Sequence, residues 1–142
     1  MLVRCLYASR AAGNLTDDIL DDILQQSRQN NPANGITGML CFTNDMFVQV
    51  LEGGRAQVSR LFGAIERDDR HIDVQLLSYG EIIERRFGAW TMGQVNMASV
   101  NPSLLLKYLE KAELDPFNCS GEATLAVLLE IAASGSIINR VG

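Results

Sequence analysis

The sequence predicts an α+β fold: a ferredoxin-like β-α-β-β-α-β arrangement with an extra fifth strand, followed by a C-terminal two-helix cap. Three observations predict it. Alternating apolar runs and helix-periodic runs follow one another in that order. The two middle strands are separated only by the turn signal "ND", which makes them a hairpin. The composition, 47% hydrophobic and 20% charged over 142 residues, suits one domain with a substantial core.

"LVRCLYAS" opens the chain as the first strand, with Val3, Cys5, Tyr7 and Ser9 on one face and Leu2, Arg4, Leu6 and Ala8 on the other. "AAGN" is a loop. "LTDDILDDILQQSRQNN" is the first helix: Thr16 is a good N-cap, Asp17 and Asp18 favour the positive end of the dipole, and Leu15 and Leu20 are spaced as a hydrophobic staple. Its apolar stripe is Ile19, Ile23 and Leu24, and "NNPANG" ends it. The acidic residues Asp17, Asp18, Asp21 and Asp22 read as capping and a solvated face, not as metal ligands.

"ITGMLCFT" and "MFVQVLE" are the second and third strands. "GGRAQVSRLFGAIERDD" turns into the second helix, with a stripe of Val58, Leu61, Phe62 and Ile65. "IDVQLLSYGEII" is the fourth strand and "WTMGQV" the fifth. From residue 100, "NPSLLLKYLEKAEL" predicts a helix begun by Pro102 and Ser103, "DPFNCSG" a break, and "EATLAVLLEIAAS" a last helix stopped by Gly135. The expected division is residues 1–97 as one domain and 98–142 as a helical extension, its leucines buried on the sheet's free face or on another subunit.

The net charge of -5 argues against a nucleic-acid partner, whose phosphates need a basic patch. No apolar run is long enough to span a membrane, and no signal peptide precedes the first strand. Cys5, Cys41 and Cys119 are odd in number and lack metal-ligand spacing, so buried reduced thiols and a cytoplasmic protein are expected. Nucleophilic catalysis is poorly supported, because His71 is the sole histidine available as a base. No P-loop and no GxGxxG is present.

The most informative residue is Gln49, a primary amide inside an apolar strand, where unpaired donors and acceptors are expensive. In the predicted sheet the first and third strands are central neighbours, which sets Tyr7 beside Gln49 on the helical face. A satisfied core hydrogen bond explains that pair by itself. Other polar groups gather nearby: Asn30 and Asn31 at the end of the first helix, and Asp68, Arg70 and His71 after the second. Ile23 and Ile65 supply two apolar walls. Apolar walls with convergent amides suit a planar heterocycle with carbonyl and imide edges.

With these residues in place, the chain resembles the BLUF family of flavin-based blue-light sensors over residues 1 to 97. Tyr7 in "LYAS", "NNPANGITGML", "FVQVLEG", "RDDRH" and "RRFGAWTM" match the family's motifs in order. The resemblance implies that Tyr7 is a hydrogen-bonding electron donor and that Gln49 bridges Tyr7 to a flavin, FAD by family habit, with FMN or riboflavin as alternatives. It implies that Asn31, with Asn30 beside it, meets the carbonyl and imide edge, and that Ile23 and Ile65 sandwich the ring. Asp68, Arg70 and His71 lie near the ring or ribityl chain. Trp90 and Met92 compete for the place next to Gln49 and relay the signal to the fifth strand. Asn30 stands where some members have histidine.

The resemblance also implies a non-enzymatic photoreceptor. Such a photoreceptor is expected to lack an output domain of its own, to act on a downstream effector protein and to form homo-oligomers. An acylphosphatase-like hydrolase of the same fold is the competing reading. Arg10 follows the first strand, but "ASRAAGN" lacks a glycine-rich phosphate cradle. A third reading is an interaction module that has lost its flavin; intact Tyr7, Asn31 and Gln49 argue against it.

Overall fold

Ten residues at the N-terminus, Leu2–Ala11, form β1, the strand from which the rest of the sheet is built. The computed structural model describes residues 1–134. β1 pairs antiparallel on one side with β3 (Met46–Gly54) and on the other with β4 (His71–Ile82). β2 (Thr37–Thr43) forms the hairpin with β3, and its turn residue Asn44 adopts a left-handed φ of 48°, which asparagine tolerates well. The short β5 (Gly93–Asn96) lies parallel to β2, so the order is β4-β1-β3-β2-β5. The predicted neighbours β1 and β3 are central, and Tyr7 is directly opposite Gln49.

α1 (Asp17–Asn34) begins as expected, with the Thr16 hydroxyl accepting from the Ile19 amide at 3.3 Å. It ends within "NNPANG" as expected, but at its far end, continuing through Pro32 to Asn34. A proline here removes one backbone donor in the last turn. The helix tolerates this because Gly35, at φ 66°, turns back so that its amide and that of Ile36 satisfy the Asn31 and Pro32 carbonyls. That longer helix is what buries Asn31 beside Leu20, Ile23 and Leu24. α2 (Arg55–Arg67) buries Val58 fully and leaves Leu61, Phe62 and Ile65 half-buried, because a cleft separates it from α1.

The fifth strand is shorter than predicted. Trp90, Thr91 and Met92 precede it: the Trp90 carbonyl still accepts from the Gly38 amide of β2 at 3.1 Å, but the Thr91 carbonyl turns out of the ladder to accept from the Asn31 side chain at 3.1 Å.

The predicted long helix after Asn101 is only α3 (Pro102–Leu106). Its propagation loses to tertiary contacts: Lys107 and Tyr108 reach across to Glu130 at 2.5 and 2.8 Å, while Leu114 is buried in the core. α4 (Gly121–Ser134) lays Val127, Leu128 and Ile131 against Leu6, Ala8, Met39, Cys41, Val48 and Val50. Each such side chain stabilises the fold by about 2 kcal/mol. The sheet is thus covered on both faces, by α1 and α2 on one and α4 on the other. Gly135, the predicted stop, lies outside the described residues.

Candidate functional site

The cleft between α1 and α2 holds about 200 Å³, and the floor of the sheet closes it. Ile23, Ser27, Asn30 and Asn31 come from α1 at the spacing of one helix face. Leu61, Ala64 and Ile65 come from α2, with Asp68 at its end, and Arg70 and His71 follow where the chain enters β4. Tyr7 and Gln49 form the floor. Every residue singled out as flavin-binding or photoactive lines this one cleft. Gln26, Ser27, Leu61 and Ala64 line it too and were not singled out. Their helical spacing from Ile23 and Ile65 was the available signal.

At the floor, the Tyr7 hydroxyl donates to Gln49 Oε1. Gln49 Nε2 points the other way and donates to Met92 Sδ at 3.2 Å. Both residues are buried. Burial pushes the Tyr7 phenol far above its ordinary range, reinforced by Cys5 and Asp68, so it keeps its proton at any physiological pH. Between the two expected competitors, Met92 holds the place beside Gln49. Trp90 is buried in the cluster under α4, and its indole Nε1 has no hydrogen-bond partner among the described residues.

His71 Nδ1 and the Ser9 hydroxyl are 2.8 Å apart. Burial lowers the His71 pKa and outweighs the attraction of Asp68, favouring a neutral ring. Arg70 grips Asp68 at 2.5 Å and reaches Gln26 on α1 at 2.8 Å, tying the two sides of the cleft. The Arg70 hydrogen bond holds the Asp68 carboxyl below its usual range. Burial raises the Cys5 thiol to about 12 and also pushes Cys41 up, so neither is a ready nucleophile.

Apolar Ile23, Leu61 and Ile65 face a cleft whose floor and ends carry four amides, a phenol, a carboxylate, a guanidinium and an imidazole. This mixture suits a planar ring with polar edges. One donor of Asn31 is spent on Thr91, which leaves its carbonyl oxygen and second N–H for a ligand.

Comparisons with known proteins agree with the geometry. A family model described as sensors of blue-light using FAD matches residues 2–93. The photoactivated adenylate cyclase subunit beta of Euglena longa is 34% identical over 92 residues, 64% of this chain but only 11% of that protein. This chain therefore spans a small part of that curated relative's length. BlrB, a BLUF protein solved in its dark state, is 34% identical with a TM-score of 0.76, the match covering 94% of this chain and 96% of BlrB. BlsA in its photo-activated state is 29% identical with a TM-score of 0.80, covering 100% of this chain and 99% of BlsA. In sequence and in fold, this chain belongs to the BLUF family, the sensors of blue light using FAD.

Proposed function

We propose that the chain is a photoreceptor that binds FAD non-covalently in the α1–α2 cleft and signals by rearranging the hydrogen bonds of Gln49, without itself being an enzyme. The single observation that carries this reading is the hydrogen-bonded chain Tyr7–Gln49–Met92, a buried phenol and amide at the cleft floor with a buried thioether behind them.

A bound flavin supplies blue-light absorption and an electron-accepting ring. Everything else is done by residues of this chain. Ile23 and Ile65 would flank the ring, Asn30 and Asn31 would meet its polar edge, and Asp68, Arg70 and His71 would lie near the ring or the ribityl chain; all seven line the cleft. Tyr7 would be the donor of both electron and proton to that ring, the phenolic proton leaving by way of the bond to Gln49 Oε1. When electron and proton return, Gln49 is left rotated or tautomerised. Its carbonyl and amide ends exchange hydrogen-bonding sense at nearly constant shape. Holding Nε2 against a thioether, a weak acceptor, keeps the two arrangements close in energy, as a reversible switch requires. The change passes to Met92 and Trp90 and leaves through β5 and the helices beyond residue 98, which present it to a downstream effector protein or to further copies of this chain.

The test is the absorption spectrum of the purified chain in the dark and just after blue light. A flavin spectrum that shifts slightly to the red and relaxes in the dark is the expected result. Bound flavin without a shift would overturn the switch, and no flavin even after reconstitution would overturn the cofactor.

A further inference from the structure

Glu52 lies on β3 three residues beyond Gln49, fully buried, on the opposite face of the sheet. Its carboxylate accepts from four groups. The Phe87 amide donates to Oε1 at 2.7 Å, and the Arg86 amide is shared between the two oxygens at 3.0 and 3.1 Å. Arg4 brings Nε at 2.8 Å and a terminal nitrogen at 2.7 Å to Oε2. Arg4 also sits over the ring of Phe87, 5.9 Å from its centroid. Next along the chain, Arg85 bonds the Glu52 carbonyl at 3.0 Å, Thr37 at 2.8 Å and the Gly35 carbonyl at 2.7 Å.

A buried carboxylate needs its lone pairs satisfied, and Arg4 answers part of that need. An ion pair within the sheet does not require two consecutive backbone amides from a distant loop. That loop is the one that ends at the switch. Residues 85–87 are held at Glu52, Gly88 and Ala89 are exposed, and the next three residues bond in turn to Gly38, Asn31 and Gln49.

We infer that Glu52 is a positioning residue for the light switch: its carboxylate fixes the backbone at Arg86 and Phe87, so that the short span through Met92 presents the thioether to Gln49, with Gly88 and Ala89 as the joint. The inference rests on the Tyr7–Gln49 reading above. A fixed anchor on one side of a two-residue joint lets residues 90–92 take two discrete positions instead of drifting, which is what a two-state signal needs.

The test compares the full chain with Glu52→Leu, Glu52→Gln and, as a control, Val3→Ala. Val3 is buried in the same sheet, in the core cluster that includes Met92 but neither Phe87 nor Trp90, and its truncation lowers stability while leaving every bond of the Glu52 carboxylate in place. Two readouts are taken: dark recovery after blue light, and acrylamide quenching of Trp90, the chain's one tryptophan. Glu52→Leu removes both amides' acceptor; recovery is expected to quicken about threefold or more, and quenching to rise. Glu52→Gln keeps one oxygen for those amides and is expected to fall between parent and Glu52→Leu. Val3→Ala is expected to match the parent in both.

The inference is overturned if Glu52→Leu behaves as the parent, or if Val3→Ala shifts both readouts equally. A parent chain with no light-induced shift overturns the photochemical reading instead, and the quenching comparison then decides on the anchor. Should Glu52→Leu not fold, Glu52→Gln against the parent decides by the same two readouts.

Discussion

Gln49 holds two unlike partners with the two ends of one amide: a phenol that donates strongly and a sulfur that accepts weakly. Tyr7→Phe keeps the ring that packs against Phe62 at 5.5 Å but removes the proton and the electron donor. The variant is expected to bind flavin as before and to lose the reversible red shift, read by difference absorption. Gln49→Leu is expected to lose the shift with Tyr7 intact; a normal photocycle in that variant would overturn the mechanism. Tyr7 and Gln49 were legible in the sequence because each is a polar residue at an inward position of a strand, and the strand order makes them neighbours. Glu52 was not legible as an anchor. It stands at the end of an apolar run and reads as a strand terminus, although Arg4 on the same face of the adjacent strand was a signal of a buried pair. The choice of Met92 over Trp90 beside Gln49 was illegible for a different reason. It depends on the path of a loop whose residues bond to three separate elements.

The order and type of the elements were legible because strand alternation and helix periodicity are both strong over residues 1–83. Their ends were less so. α1 runs past its proline because the following glycine closes the helix, and α3 stops early because its continuation is drawn to α4. Two glycines show how closely elements approach. A Cβ on Gly38 would lie 2.1 Å from the Val50 carbonyl oxygen, and one on Gly121, at the start of α4, would lie 2.3 Å from the Leu77 carbonyl oxygen. Backbone cannot yield as a side-chain tip can. Gly38→Ala and Gly121→Ala are each expected to lower unfolding stability by about 1 to 3 kcal/mol. Gly13→Ala, with open space around it, is expected to stay within about 0.5 kcal/mol of the parent. Urea denaturation of the three variants checks this.

For the molecule as a whole, acid should act in two separate windows. His71 has a pKa lowered from 6.5 in the folded state, so the unfolded chain binds its proton first. Stability from this group is complete above pH 6.5 and declines as pH falls below it. Asp68 has a pKa lowered from 3.8, so its contribution is complete above that pH and is lost as pH falls further. The denaturation midpoint is expected to fall in both windows, and His71→Gln is expected to flatten the upper one alone. A light-dependent effector would be found by titrating purified candidates in dark and light; identical binding in both would count against the signalling half of the proposal. The manner in which the sheet is completed bears on how such a signal could leave. β5 is held by four residue pairs to a strand far back in the sequence, Met39 opposite Gly93 through Phe42 opposite Asn96. Bringing those partners together closes a long loop for little immediate return, so this pairing forms late and opens early. The last strand to zip during folding is therefore the first that a small push from the neighbouring segment can peel away.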